Sequence, residues 1–170
     1  MPKDDKYYFH QTPPELAKKL IATLPLVEGD ILFEPFKGEG AFYNHLPQNT
    51  INEWTEIEEG KCYTSYQGEI DWVITNPPFQ IVNEKGKRVN AFWNLVEYFA
   101  PRVRKGIAFL GNDICFSTLT PNRLKLLKDT YGLSVEGYKV CSVKRWRGRY
   151  FFITITKTPN SHIGYIEGNF

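Results

Sequence analysis

Apolar residues recur along this chain with two periods. Leu16, Ala17, Leu20, Ile21 and Leu24 fall on one helical face until Pro25 stops the run. Thr12-Pro13-Pro14-Glu15 ahead of them has the form of a capping box, with proline just inside the helix, so a helix is expected to start there. Three short apolar runs read as strands: residues 30–34, 51–57 and 70–75. The last of these is almost continuously apolar, as a strand covered on both faces should be. Phe92, Trp93, Leu95, Val96 and Phe99 give a second helix ended by Pro101, and residues 106–111 another buried strand. Thr120-Pro121 repeats the cap-then-proline device before a helical face of Leu124, Leu127 and Tyr131, with Gly132 as its stop.

The pattern then changes. Residues 133–143 and 150–157 both read as strands, and in the second Phe151, Ile153 and Ile155 alternate with Phe152, Thr154 and Thr156. Their connection is short and basic, so they are expected to pair antiparallel at a sheet edge. Strands alternating with helices, followed by this pair, predict a three-layer α/β domain with a mostly parallel sheet. Residues 83–89 show no periodicity and read as a loop, and a loose tail is expected after Pro159.

Composition narrows the class. A chain of 170 residues suits one core, and residues 1–170 are read as a single domain with no separate recognition domain. The formal net charge of +2 is too small to identify a nucleic-acid binder, so local charge has to carry that argument. Cys62, Cys115 and Cys141 are odd in number and widely spaced, which predicts reduced thiols in an intracellular compartment and no metal site. No run approaches the roughly 18 apolar residues a membrane helix needs.

Two segments carry chemistry. The first is Glu34-Pro35-Phe36-Lys37-Gly38-Glu39-Gly40, which reads as strand end, glycine-rich turn and helix start. Glycines at the carboxyl end of a first strand let the backbone approach a ligand. Glu39 would oppose a pyrophosphate, so a cofactor with a charged amine and a sugar diol fits better. Glu34 could attract the amine. Glu56 and Glu58 stand 18 and 20 residues beyond Gly38 and compete to hold ribose hydroxyls; Glu56 is nearer the strand end, while most of the Glu56, Glu58, Glu59 group reads as a solvated face.

The second segment is Asn76-Pro77-Pro78-Phe79, directly after a buried strand. Two prolines fix the backbone and remove two donors, which leaves rigid carbonyl acceptors beside the Asn76 amide oxygen. An aromatic amine is a poor nucleophile because its lone pair is delocalised. Acceptors on both its hydrogens, from Asn76 and the Pro77 carbonyl, favour a pyramidal nitrogen whose lone pair faces a methyl donor. Phe79 could stack on the base, which must be unpaired or flipped out to reach it.

Gln11 to Pro14, Glu34 to Phe42 and Asn76 to Phe79, in that order, resemble motifs X, I and IV of the adenine-N6 DNA methyltransferases, in a gamma-like arrangement. The resemblance runs from about Tyr8 to Lys157. It implies a Rossmann-like methyltransferase fold, with a seven-stranded sheet whose last strand is antiparallel. It implies S-adenosyl-L-methionine as cofactor, contacted at Gln11, Thr12, Glu34, Pro35, Phe36, Gly38, Gly40, Glu56 and Asn76. Where the family often has Asp-Phe, this chain has Cys62-Tyr63, so Tyr63 inherits the aromatic contact and the acid is lost. The gamma arrangement would continue into a recognition domain, so specificity is expected to be modest, built into short loops, or supplied by a partner subunit or a second copy.

Two basic segments point to nucleic acid, DNA first. Lys144, Arg145, Arg147 and Arg149 surround Trp146 without an acid, which suits phosphate contact plus stacking. Lys85, Lys87 and Arg88 read by default as a solvated face, with phosphate contact as the alternative. The same motifs also fit methylation of an RNA adenine or guanine or of a protein glutamine, and a non-catalytic subunit of this fold that only holds nucleic acid.

Overall fold

A computed structural model describes residues 11–83, 85–144, 146 and 148–157. The described residues form four α-helices: α1 (Pro14–Ile21), α2 (Ala91–Phe99), α3 (Asp113–Ser117) and α4 (Pro121–Tyr131). The strands are β1 (Ile31–Glu34), β2 (Ile51–Trp54), β3 (Ile70–Thr75), β4 (Gln80–Val82), β5 (Arg88–Asn90), β6 (Val103–Asn112), β7 (Ser134–Cys141) and β8 (Tyr150–Thr156). The main sheet has six strands in the order β2-β1-β3-β6-β8-β7. β1, β2, β3 and β6 pair parallel, and β8 runs antiparallel to both β6 and β7.

This is the expected Rossmann-like methyltransferase architecture, with six strands among the described residues where seven were expected. The extra strand segments, β4 and β5, leave the sheet and form a separate antiparallel hairpin. Residues 83–89 are therefore not a plain loop: Asn83 accepts from the backbone N–H of both Lys85 and Lys87 through its Oδ1, each at 3.0 Å, and so ties the tip of a hairpin. Of the β7–β8 pair, β8 lies inside the sheet, hydrogen-bonded along both its edges, and β7 forms the outer edge; the side chains of β8 are buried or half-buried along its whole length.

Two apolar clusters sandwich the sheet. On one side Phe33, Val73, Ile107, Ile153 and Ile155 meet α2 through Phe92, Leu95, Val96 and Phe99, and α4 through Leu127. On the other, Leu32, Trp72, Ile74, Leu110 and Phe152 meet Ala17, Leu20 and Ile21 of α1, together with Phe42 and Leu46. The alternation of side chains along each strand assigns neighbours to opposite layers, as with Leu32 and Phe33.

Three local expectations are corrected. Thr12 does not cap α1; the N-cap is Pro13, and no side chain completes the box. β2 stops at Trp54, because Glu56 turns the chain by accepting from Glu58 N–H and capping a 3-10 turn over residues 57–59. The glycine loop leads into a single 3-10 turn (Tyr43–His45) and no long helix. Leu46 is extended and Pro47 follows it, which bars continuation of a helix. At the other end of α4, Gly132 has φ of 66° and donates to the Lys128 carbonyl, as the sequence predicts.

Candidate active site

The carboxyl ends of β1, β2 and β3 converge where the sequence places its motifs. Parallel pairing sets Phe33 beside Val73 and Glu34 beside Trp54, so Glu34, Thr55 and Thr75 end neighbouring strands together. Thr55 locks the glycine loop in place: its N–H donates to the Glu34 carbonyl at 3.0 Å, its hydroxyl to the Pro35 carbonyl at 2.9 Å, and its carbonyl accepts from Lys37 N–H at 3.1 Å. Gly38 and Gly40 have φ of 51° and 88°, a region that disfavours any side chain. A Cβ on Gly38 would meet no heavy atom within 4 Å, so the loop presents open backbone there.

Glu34 is 1% exposed and accepts from Phe36 N–H at 3.1 Å. Burial pushes its pKa up to about 8, Glu56 adds to the rise, and the Thr75 hydroxyl and Phe36 N–H oppose it. The Thr75 hydroxyl is itself buried and closes no hydrogen bond of normal geometry. Its effect on Glu34 is that of a nearby dipole favouring the charged form. Glu56 is half-buried, and its Oε2 accepts from Gly38 N–H at 2.6 Å. The predicted amine and ribose acids therefore flank one glycine loop. Glu58 and Glu59 are exposed, with Glu59 paired to Lys37 at 3.0 Å, which agrees with the solvated-face reading for those two.

Thr12 is buried beside Asn76, whose Nδ2 donates to the Thr12 hydroxyl at 3.1 Å. The residue expected to cap α1 instead positions the side chain expected to grip the acceptor amine. Gln11 is exposed at the same end of α1. Beyond Asn76, Pro77, Pro78 and Phe79 line a cleft of about 290 Å³ whose other walls include Gln80, Asn90, Gly111, Asn112, Ile114 and Cys115. Phe79 is 48% exposed and Ile114 57%, two large apolar surfaces on the same cleft. Burial pushes the Cys115 thiol up to about 11, so it stays protonated at neutral pH and is no nucleophile.

Tyr63 packs into an aromatic group with Phe36 at 5.3 Å and Tyr98 at 5.2 Å, so it touches the glycine loop through Phe36. Ile57, directly after Glu56, is 71% exposed, and Lys37 lies 3.5 Å above the Trp54 ring. Sequence reasoning passed over Thr75, Asn90, Asn112 and Ile114. Asn-Asp closing an apolar run was the available signal for Asn112.

The basic segments belong to elements connected to the cleft wall. Lys85, Lys87 and Arg88 are exposed on the β4–β5 hairpin, which also carries Gln80 and Asn90 of the cleft wall. In the β7–β8 connection Lys144 and Arg149 are exposed, and Arg149 reaches Asp113 of α3 at 3.7 Å. Trp146 is half-buried and packs against Tyr150 at 4.4 Å. Arg145 and Arg147 lie outside the described residues, as do Tyr8 and the tail after Pro159. The described cysteines are free thiols, no group of His, Cys, Asp and Glu among the described residues could hold a metal, and no described helix is long and apolar enough to cross a membrane.

No family model matches the chain, and no curated protein matches it. Solved structures do. A Listeria monocytogenes protein named as a class I S-adenosylmethionine-dependent methyltransferase superposes with a TM-score of 0.65 at 12% identity, over 91% of this chain and 62% of that one. A precorrin-6y C5,15-methyltransferase from Geobacter metallireducens gives 0.59 at 13% identity, over 91% and 96%. TrmN from Thermus thermophilus gives 0.54 at 16% identity, over 85% and 49%, so this chain spans about half of that protein's length.

Proposed function

We propose that this chain is an S-adenosyl-L-methionine-dependent methyltransferase acting on the N6 amine of adenine in DNA. The shared fold supports the methyltransferase class. The observation that carries the reading is the position of Asn76: it directly follows β3, whose parallel neighbour β1 runs into the Glu34–Gly40 loop, it directly precedes the Pro77–Phe79 wall of the cleft, and its amide donates to the Thr12 hydroxyl.

The residues fit the cofactor's chemistry. Glu34 offers a buried carboxyl to an ammonium group, Gly38 offers open backbone, and Glu56 offers a fixed carboxylate to a diol, since each carboxylate oxygen can accept further bonds beside those to Gly38 and Glu58. Bound there, S-adenosylmethionine supplies a sulfonium methyl group. On the acceptor side, Asn76 and the Pro77 carbonyl take the amine's two hydrogens and aim its lone pair, while Phe79 offers a flat aromatic face and Ile114 an aliphatic surface to the ring. A flipped or unpaired base satisfies the cleft; a base inside a duplex does not. The exposed cations of the β4–β5 hairpin and of Lys144 and Arg149 suit contacts to phosphates.

Transfer of labelled methyl from S-adenosylmethionine to DNA, RNA and protein, with Asn76→Ala as control, tests the reading. Label on DNA adenine that disappears in the variant is expected. Label on RNA or protein alone, or label that survives the substitution, overturns the assignment.

A further inference from the structure

The cleft beside Phe79 carries two asparagines that the proposed chemistry leaves without a role. Asn90 ends β5 and Asn112 ends β6, and each lines the cleft. The Oδ1 of Asn90 accepts from Phe92 N–H at 3.1 Å, and the Oδ1 of Asn112 accepts from Ile114 N–H at 3.1 Å. A backbone N–H can only donate, so these bonds decide which end of each amide is oxygen. What remains on each side chain is the Nδ2 donor. Neither Nδ2 has a hydrogen-bond partner among the described residues. The helix starts serve here only to orient the amides; the ligand-facing feature is the cleft.

We propose that Asn90 and Asn112 are the base-reading residues of this cleft, donating to the two ring acceptors that flank an exocyclic amine. This rests on the methyltransferase reading above and makes it specific. In adenine the amine stands between N1 and N7, both acceptors. In guanine the amine has a ring N–H on one side, in cytosine a C–H, and a glutamine side chain has no ring acceptor at all. Two donors beside the Asn76 and Pro77 acceptors are therefore complementary to adenine and mismatched to the others. A site built to hydrogen-bond a substrate group discriminates strongly against an analogue that lacks it.

The test uses a DNA substrate of the enzyme in which the target adenine is replaced by 7-deazaadenine or 1-deazaadenine, placed opposite an abasic position so that base pairing does not enter. On the wild-type chain each analogue is expected to lower kcat/KM by at least about tenfold. Asn90→Asp and Asn112→Asp keep the oxygen that caps each helix and remove the donor. Asn90→Ala and Asn112→Ala remove the donor without a new charge, at the cost of the cap, and control for the charge that Asp brings. Each variant is expected to lose its sensitivity to one of the two analogues, with cofactor affinity unchanged. The variant-by-analogue cycle cancels any intrinsic change in the analogue's reactivity. A wild type that methylates both analogues as fast as adenine overturns the donor proposal and leaves the methyltransferase reading standing. Variants as sensitive to both analogues as the wild type overturn the assignment to these residues. Methyl transfer to guanine, cytosine or glutamine with none to adenine overturns the functional reading, and the donor proposal falls with it.

Discussion

Glu34 makes a prediction that needs no substrate. The carboxyl is 1% exposed, and its pKa rises from 4.5 to about 8 chiefly because burial penalises its charged form. The folded state therefore holds a proton that the unfolded state releases above about pH 4.5. For a group whose pKa is raised on folding, the stability it contributes is complete below the unfolded pKa and is lost as pH climbs through the folded one. At about 1.4 kcal/mol per pH unit, the span from 4.5 to about 8 amounts to roughly 5 kcal/mol. Glu34→Gln keeps an oxygen for Phe36 N–H and abolishes the titration. Urea unfolding of both proteins from pH 4 to 9 is expected to give stability curves that diverge. The wild type should fall relative to the variant by about 1.4 kcal/mol per unit between pH 5 and 8 and run parallel to it above pH 8. Apart from Glu56, whose charge acts on Glu34, the other titrating groups contribute alike to both curves, so the difference reports chiefly on Glu34. Curves that stay parallel from pH 5 to 8 would refute the claim that this carboxyl is neutral in the folded chain. Saturation with S-adenosylhomocysteine, whose ammonium would face Glu34, should flatten the slope by drawing the proton off.

Other perturbations test packing and the acceptor side. A Cβ on Gly106 would lie 2.6 Å from Trp72 Cζ3 and 2.7 Å from the Ile155 carbonyl oxygen, which is backbone and cannot step aside; Gly106→Ala should cost about 1–3 kcal/mol, seen as a lower Tm. Phe79→Ala removes a half-exposed ring from the cleft, so it should leave Tm unchanged and raise KM for nucleic acid, by roughly 5- to 100-fold if the ring stacks on the base. Replacing Lys85 and Lys87 together with alanine should make the dependence of log affinity on log salt shallower by about 2 for duplex DNA, because each phosphate contact contributes about 0.9; an unchanged slope would return both lysines to the solvated surface.

Much of this molecule is written in local pattern. The unbroken apolar run of β3, the proline-started helices α1 and α4, and the alternation in β8 each follow from short-range rules, and the structure keeps them. The order of the motifs also sufficed to place Glu34, Glu56 and Asn76 at strand ends, because in an open parallel sheet the carboxyl ends share one edge. What pattern could not show depends on contacts between segments distant in sequence. Thr12 has the local form of a cap, yet it serves Asn76, 64 residues away, because α1 shares one core cluster with Leu32 of β1 and with Trp72 and Ile74 of β3. Residues 83–89 lack the apolar period of a strand because their hairpin stands away from the sheet and buries little. The raised pKa of Glu34 comes from its burial in the folded chain, which no window of sequence reports. Asn90 and Asn112, 22 residues apart, line one cleft because the β4–β5 hairpin and the end of β6 meet beside Phe79. The sequence determined which chemical groups stand at the ends of which strands; tertiary packing decided which of them are buried, which are neutral and which face a common space, since desolvation and convergence are properties of the assembled chain.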